Sequence, residues 1–202
     1  MSSRPYRARS RPKRSEETRE RIKTAVRDLL AEGTFHTSTV EEVADRAGVA
    51  RATLYQHFRS RVELVDAICE TFDMNPALRQ LRETVDDPDT DVALAETLAG
   101  AVRFWSTEDP VLRHLYGVAS IDPAAQDLVD RQRADRRAEL ERLVRNLSRA
   151  GRLRAGTNER RALSLLLVLT SYETFRELRE SGLTDRQLAT SLQQAARDLL
   201  LD

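Results

Sequence analysis

The sequence predicts an all-α chain: an N-terminal three-helix unit followed by a larger helical unit. Three observations carry this. Apolar residues recur every three or four positions, and nowhere do they alternate as in a half-buried strand. Helix-start signatures punctuate the chain, pairing Thr39 with Glu42, Ser60 with Glu63 and Thr184 with Gln187. Gly48 separates two apolar-spaced runs, each too short to be a stable helix alone, so both must pack on a neighbour.

Residues 1–14 carry Arg4, Arg7, Arg9, Arg11, Lys13 and Arg14 with almost nothing apolar, and read as a basic flexible arm. Such an arm either neutralises phosphates or enters a minor groove, or it is a solvated tail. Ser15, ahead of Glu16 and Glu17, is placed to start the first helix; Ile22, Ala25, Val26, Leu29 and Leu30 form its stripe, and Gly33 ends it. Phe35 is expected to plug the small core and His36 to lie at the surface. Val40, Val43, Ala44 and Ala47 then make one apolar face of a second helix capped by Thr39. After the turn at Gly48, Val49, Leu54 and Phe58 mark the buried side of a third, leaving Arg51, Thr53, Tyr55 and His57 on the other side.

Those outward residues are donors of the kinds used against DNA, with guanidinium suited to a guanine edge and hydroxyl, phenol and imidazole suited to phosphates. Two helices across a tight turn, the second carrying such donors, read as a helix-turn-helix, the alternative being a helical hairpin in an unrelated bundle. The charge distribution agrees. The chain is formally neutral, but residues 1–61 carry 14 Lys and Arg against 8 Asp and Glu, and residues 62–202 carry 19 against 25. Positive charge is concentrated on the segment that holds the donors.

GVARATLYQHFRSRVELVDAI, residues 48–68, resembles the DNA-binding segment of the tetracycline-repressor (TetR) family of bacterial transcription regulators, with Gly48, Val49, Thr53, Leu54, Tyr55, His57, Phe58 and Leu64 in matching order. The resemblance implies a homodimer that places two recognition helices on a palindromic operator in double-stranded DNA. It also implies a C-terminal domain that dimerises and often binds a small-molecule effector. Positions matching Arg51, Ala52 and Thr53 approach bases, and those matching Tyr55 and His57 hold phosphates. Arg61, together with the start of the next helix, is expected to hold a further phosphate, and Thr39 completes the DNA-contacting set. Two departures stand out: Ala50 replaces the usual capping Ser, and Arg61 replaces a usual Lys.

The domains implied are a helix-turn-helix unit over 15–60 and an effector-binding and dimerisation unit over 61–202. Ser60 opens a fourth helix running to about Asp73, a natural lever between the two, which Asn75-Pro76 stops. A short helix over Ala77–Val85 and an acidic loop follow. Leu94, Leu98, Ala101 and Trp105 then line a longer helix. Asp109-Pro110 and Asp122-Pro123 each read as a cap with Pro in the first helical position, so a short helix around Leu112, Leu115 and Tyr116 is expected between them, and a long charged helix ending at Gly151 after them. Within the latter, Arg131, Arg133, Arg136 and Arg137 alternate with acids and read as a solvated face. Ala162–Leu169 is apolar almost all round, and Leu188, Leu192, Ala195, Ala196, Leu199 and Leu200 stripe the final helix. These two are the expected four-helix dimer interface, the alternative being that both close a monomeric core.

For an effector, Trp105, Tyr116, Tyr172 and Phe175 are candidate apolar lining, with His114, Thr170 or Ser171 supplying polar contacts. A DNA-binding protein without an effector, acting architecturally, is the alternative. Three histidines, one cysteine and no glycine-rich phosphate loop give an enzyme nothing to work with, and neither a cofactor nor a metal is expected. Cys69 falls at helical spacing among Leu64, Val65, Ile68 and Phe72, as a buried hydrophobe would. With no apolar leader and no run long enough to span a bilayer, the chain is expected in the cytoplasm.

Overall fold

The computed structural model describes residues 11–202, so residues 1–10 of the expected arm lie outside the described residues. These residues form ten helices and no strand: α1 (Arg11–Ala31), α2 (Val40–Arg46), α3 (Arg51–His57), α4 (Arg61–Phe72), α5 (Pro76–Thr84), α6 (Thr90–Ala119), α7 (Pro123–Arg149), α8 (Glu159–Leu169), α9 (Tyr172–Glu180) and α10 (Asp185–Leu200).

The first helix starts before the expected Ser15. Arg11–Arg14 are already helical, because Pro is tolerated in a first turn and Lys and Arg are good helix formers. Gly33 terminates α1 with φ +75°, a left-handed position that a Cβ disfavours. The Thr39 capping box is complete: its hydroxyl accepts the Glu42 N–H at 3.2 Å, and the Glu42 carboxylate accepts the Thr39 N–H at 2.6 Å. At Ser60 only half of the box forms. Its hydroxyl accepts the Glu63 N–H, but the Glu63 carboxylate takes the Arg59 N–H instead. Ile22, Val26, Leu30, Phe35, Val43, Leu54 and Phe58 close the small core among the first helices, each almost fully buried.

Behind it, α6 packs on α1, α5, α7 and α10, so one helix touches both units. The break expected at Asp109-Pro110 does not occur, and α6 runs through Pro110 without interruption. Proline deprives the Ser106 carbonyl of its helical partner. The helix persists because Val111, Leu112 and Leu115 beyond it are buried as deeply as Leu98 and Val102 before it. Asp109 therefore caps nothing; it accepts hydrogen bonds from Tyr172 Oη at 2.6 Å and from Arg113 at 2.6 Å. Ser171, Tyr172 and Phe175, expected at the pocket, instead start α9, with Ser171 as its N-cap accepting the Thr174 N–H at 3.0 Å.

Candidate nucleic-acid interface and cavity

On α3, Leu54 faces the core while Arg51, Ala52 and Tyr55 are exposed, and Thr53 and His57 lie at the margin. The seven-residue helix is held from one side only, through Leu54 and the buried Phe58 that follows it. Its N-cap, Ala50, makes no side-chain bond, as the departure at that position implies. Arg51 pairs with Glu41 of α2 and lies 5.5 Å from the centre of the Tyr55 ring. Both members of that pair are more than half exposed, so it is worth little and is easily exchanged for a base or phosphate. Thr39, by contrast, is occupied with capping α2.

Arg61 departs from its expected use. Its guanidinium donates to the carbonyls of Phe35 and Ser38 and sits 4.1 Å from the centre of the Phe35 ring. Burial lowers its pKa from the ordinary guanidinium value. The side chain thus ties the loop before α2 to the start of α4, where a phosphate contact was expected. The planar fork that distinguishes Arg from Lys suits this paired carbonyl contact.

A cavity lies between α4, α5, α6 and α7. The space open to the centres of water-sized bodies is about 80 Å³, several times the ~10–15 Å³ that one water needs. Its apolar wall includes Cys69, Phe72, Leu81, Phe104, Trp105 and Tyr116, and its polar lining includes Thr97, Arg82, Arg136, Glu139 and Thr170. Of the seven expected pocket residues, Trp105, Tyr116 and Thr170 line it. Tyr172 and Phe175 do not: Tyr172 stacks on Tyr116 from behind, with ring centres 5.1 Å apart, and Phe175 packs against Tyr172. His114 lies elsewhere, against Gly33 at the seam between α1 and α6, with Nδ1 3.2 Å from the Pro110 carbonyl. Cys69 is buried as expected, and burial pushes its thiol up to about 12.

The sequence of residues 22–68, from mid-α1 through most of α4, matches the family of bacterial regulatory proteins named tetR. This segment thus resembles the DNA-binding domain of the TetR family. Among curated relatives, the HTH-type transcriptional activator FasR of Mycolicibacterium smegmatis is 36% identical over 75 residues, 36% of this chain and 34% of FasR. The match thus spans about a third of that relative's length. Among solved structures, Salmonella enterica GusR superposes with a TM-score of 0.71 at 23% identity, covering 97% of this chain and 99% of GusR. A SmeT–triclosan complex does so with a TM-score of 0.73 at 20% identity, covering 92% of each chain. These two likenesses establish the fold. The curated relatives that share this segment are transcription regulators. Among the described residues, no helix is long and apolar enough to cross a membrane.

Two features of the chain escaped the sequence. One is a buried polar knot at the seam between its units: Glu108 of α6, 4% exposed, accepts from Arg27 of α1 and, at 2.8 Å, from Asn75 Nδ2. Glu108 stands at the fourth position after Phe104, inside the buried face of α6, and that placement was its only signal. The other is Arg136, read as part of a solvated face. Arg137 does pair with Glu141 at i, i+4, and Arg131 with Asp66, but Arg136 turns inward to the cavity wall.

Proposed function

We propose that the chain acts in the cytoplasm as a homodimeric, ligand-responsive repressor. Residues 15–60 read a palindromic operator, and residues 61–202 bind the effector and the second subunit. Arg51 reads a base, Ala52 and Thr53 approach neighbouring bases, and Tyr55 and His57 set register on phosphates. The observation that carries this reading is the course of α4. Only three residues separate it from the recognition helix, and its far end supplies Cys69 and Phe72 to the cavity wall. A ligand that fits the cavity better in one disposition of α4 shifts the recognition helix by the same motion.

Dimerisation is supported by the outer side of α8 and α10, which pack on each other and leave Val168 and Leu199 60% and 45% exposed. That a neighbour in fold was solved with triclosan supports a small-molecule effector. The effector-free alternative needs a sealed second unit, and the cavity weighs against it.

The test is fluorescence-anisotropy binding to the chain's own upstream DNA and to a scrambled duplex across a salt series, beside Arg51→Ala. Native DNA should bind orders of magnitude more tightly. The variant should lose roughly ten- to a hundredfold and relax its preference at one position per half-site. Equal binding of both duplexes with only a steep salt slope would sink the operator reading and favour the architectural one.

A further inference from the structure

The cavity's polar groups are not evenly matched, and the mismatch carries information about what fills it. Arg82 is neutralised twice, by Glu139 and by Asp73. Arg133 pairs with Asp130 and Glu173. Asp135, also at the lining, is exposed to solvent. Arg136 differs: among the described residues no carboxylate lies within ion-pair distance of its guanidinium, which makes only long bonds of 3.4 Å to the Leu167 carbonyl and 3.3 Å to Thr170 Oγ1. Burial also lowers its pKa from the usual value. A part-buried guanidinium with no carboxylate in contact, Glu173 acting on it only at longer range, is a candidate anion site.

A second group points the same way. Thr97, 1% exposed, lines the cavity, and its hydroxyl has no hydrogen-bond partner among the described residues. Arg136 reaches the level of Trp105, since both bond to Thr170, one to its hydroxyl and the other to its carbonyl at 3.0 Å. Thr97 lies eight residues before Trp105 on the same helix, roughly 12 Å at the helical rise. Between the two levels the walls are Phe72, Leu81, Ala101 and Phe104.

We propose that the cavity takes an apolar monocarboxylate of about eight carbons, its carboxylate on Arg136 and a hydrogen-bonding group at its far end on Thr97. This rests on the effector reading above and names the ligand's chemical class. An alcohol of the same length forfeits the charged contact, and an amine meets like charge.

Trp105 is the single tryptophan and lines the cavity, so its fluorescence reports occupancy without DNA. Octanoate, octan-1-ol and octylamine are titrated into the full-length protein, with Arg136→Gln and Arg136→Lys as variants. Octanoate should bind saturably and at least tenfold more tightly than the other two. Arg136→Gln should abolish that preference, and Arg136→Lys should keep part of it. Thermal melts of each variant show that the fold is retained. Equal binding of all three probes, no saturable binding of any, or an intact preference in Arg136→Gln overturns the proposal. 8-Hydroxyoctanoate should bind severalfold more tightly than octanoate, and Thr97→Val should erase the gain; equal affinity removes Thr97 from the site. Operator release is measured separately. Octanoate that binds without changing DNA affinity leaves the cavity's ligand class standing and refutes the ligand-responsive reading.

Discussion

Arg27→Met tests whether the two units are joined by a charge. In the native protein the Glu108 carboxylate is almost wholly removed from water and has two donors, Arg27 and Asn75. Losing one member of a fully buried pair costs about 3–5 kcal/mol. Here the Arg27 side chain is 35% exposed, so water already screens part of the attraction, and Asn75 stays in place. Both facts lower the expectation to about 2–3 kcal/mol. Glu108→Gln keeps an acceptor for Asn75 and leaves Arg27 free to turn to solvent, so it should cost about 1 kcal/mol. The double variant should cost no more than Arg27→Met alone, because no buried charge is then left unpaired. Urea unfolding of the four proteins gives the cycle. A cost below about 0.5 kcal/mol for Arg27→Met, or strict additivity, would show that water reaches Glu108 and that the seam is held by apolar packing.

Other consequences are local. In Gly33→Ala, the new Cβ would stand 2.6 Å from His114 Nε2 at a backbone φ of +75°. The variant should lose about 1–3 kcal/mol in thermal melts, and His114→Ala should recover only the steric part, leaving about 1–2 kcal/mol of left-handed strain. Tyr172→Phe removes a donor from Asp109. Burial raises the Asp109 pKa, but bonds from Tyr172 and Arg113 outweigh it and hold the carboxyl below its ordinary value. The contribution of such a depressed group is complete above about pH 3.9 and is lost as pH falls through the folded value. Tyr172→Phe should therefore cost about 1.5–3 kcal/mol at pH 7, and denaturant curves at falling pH should show the gap to wild type closing below pH ~4. Ala50→Ser should supply the missing cap of α3 and raise stability by about 0.5–1 kcal/mol, read as a higher unfolding midpoint with operator affinity unchanged.

The helix-turn-helix was legible because its determinants are local. Thr39 with Glu42, Gly48 at φ +63° and the spacing of Leu54 and Phe58 each act within one or two turns, and each formed as read. Misreadings began where a residue's partner is far along the chain. At Pro110 a local rule predicts a helix start, and burial of Val111, Leu112 and Leu115 overrides it. Arg61 was assigned outward by its place beside the recognition helix, yet its partners lie 23 and 26 residues earlier. Arg136 and Glu108 carry the same lesson with more at stake. On a helical wheel one belongs with its charged neighbours and the other interrupts an apolar face, so the pattern marks both as exposed or anomalous. Only tertiary packing reveals that one lines a cavity and the other anchors the seam. A buried charge costs stability unless something pairs with it. Glu108 has its partners within the chain, whereas Arg136 has no ion-pair partner among the described residues. That asymmetry separates a residue that holds the two units together from one that awaits a ligand.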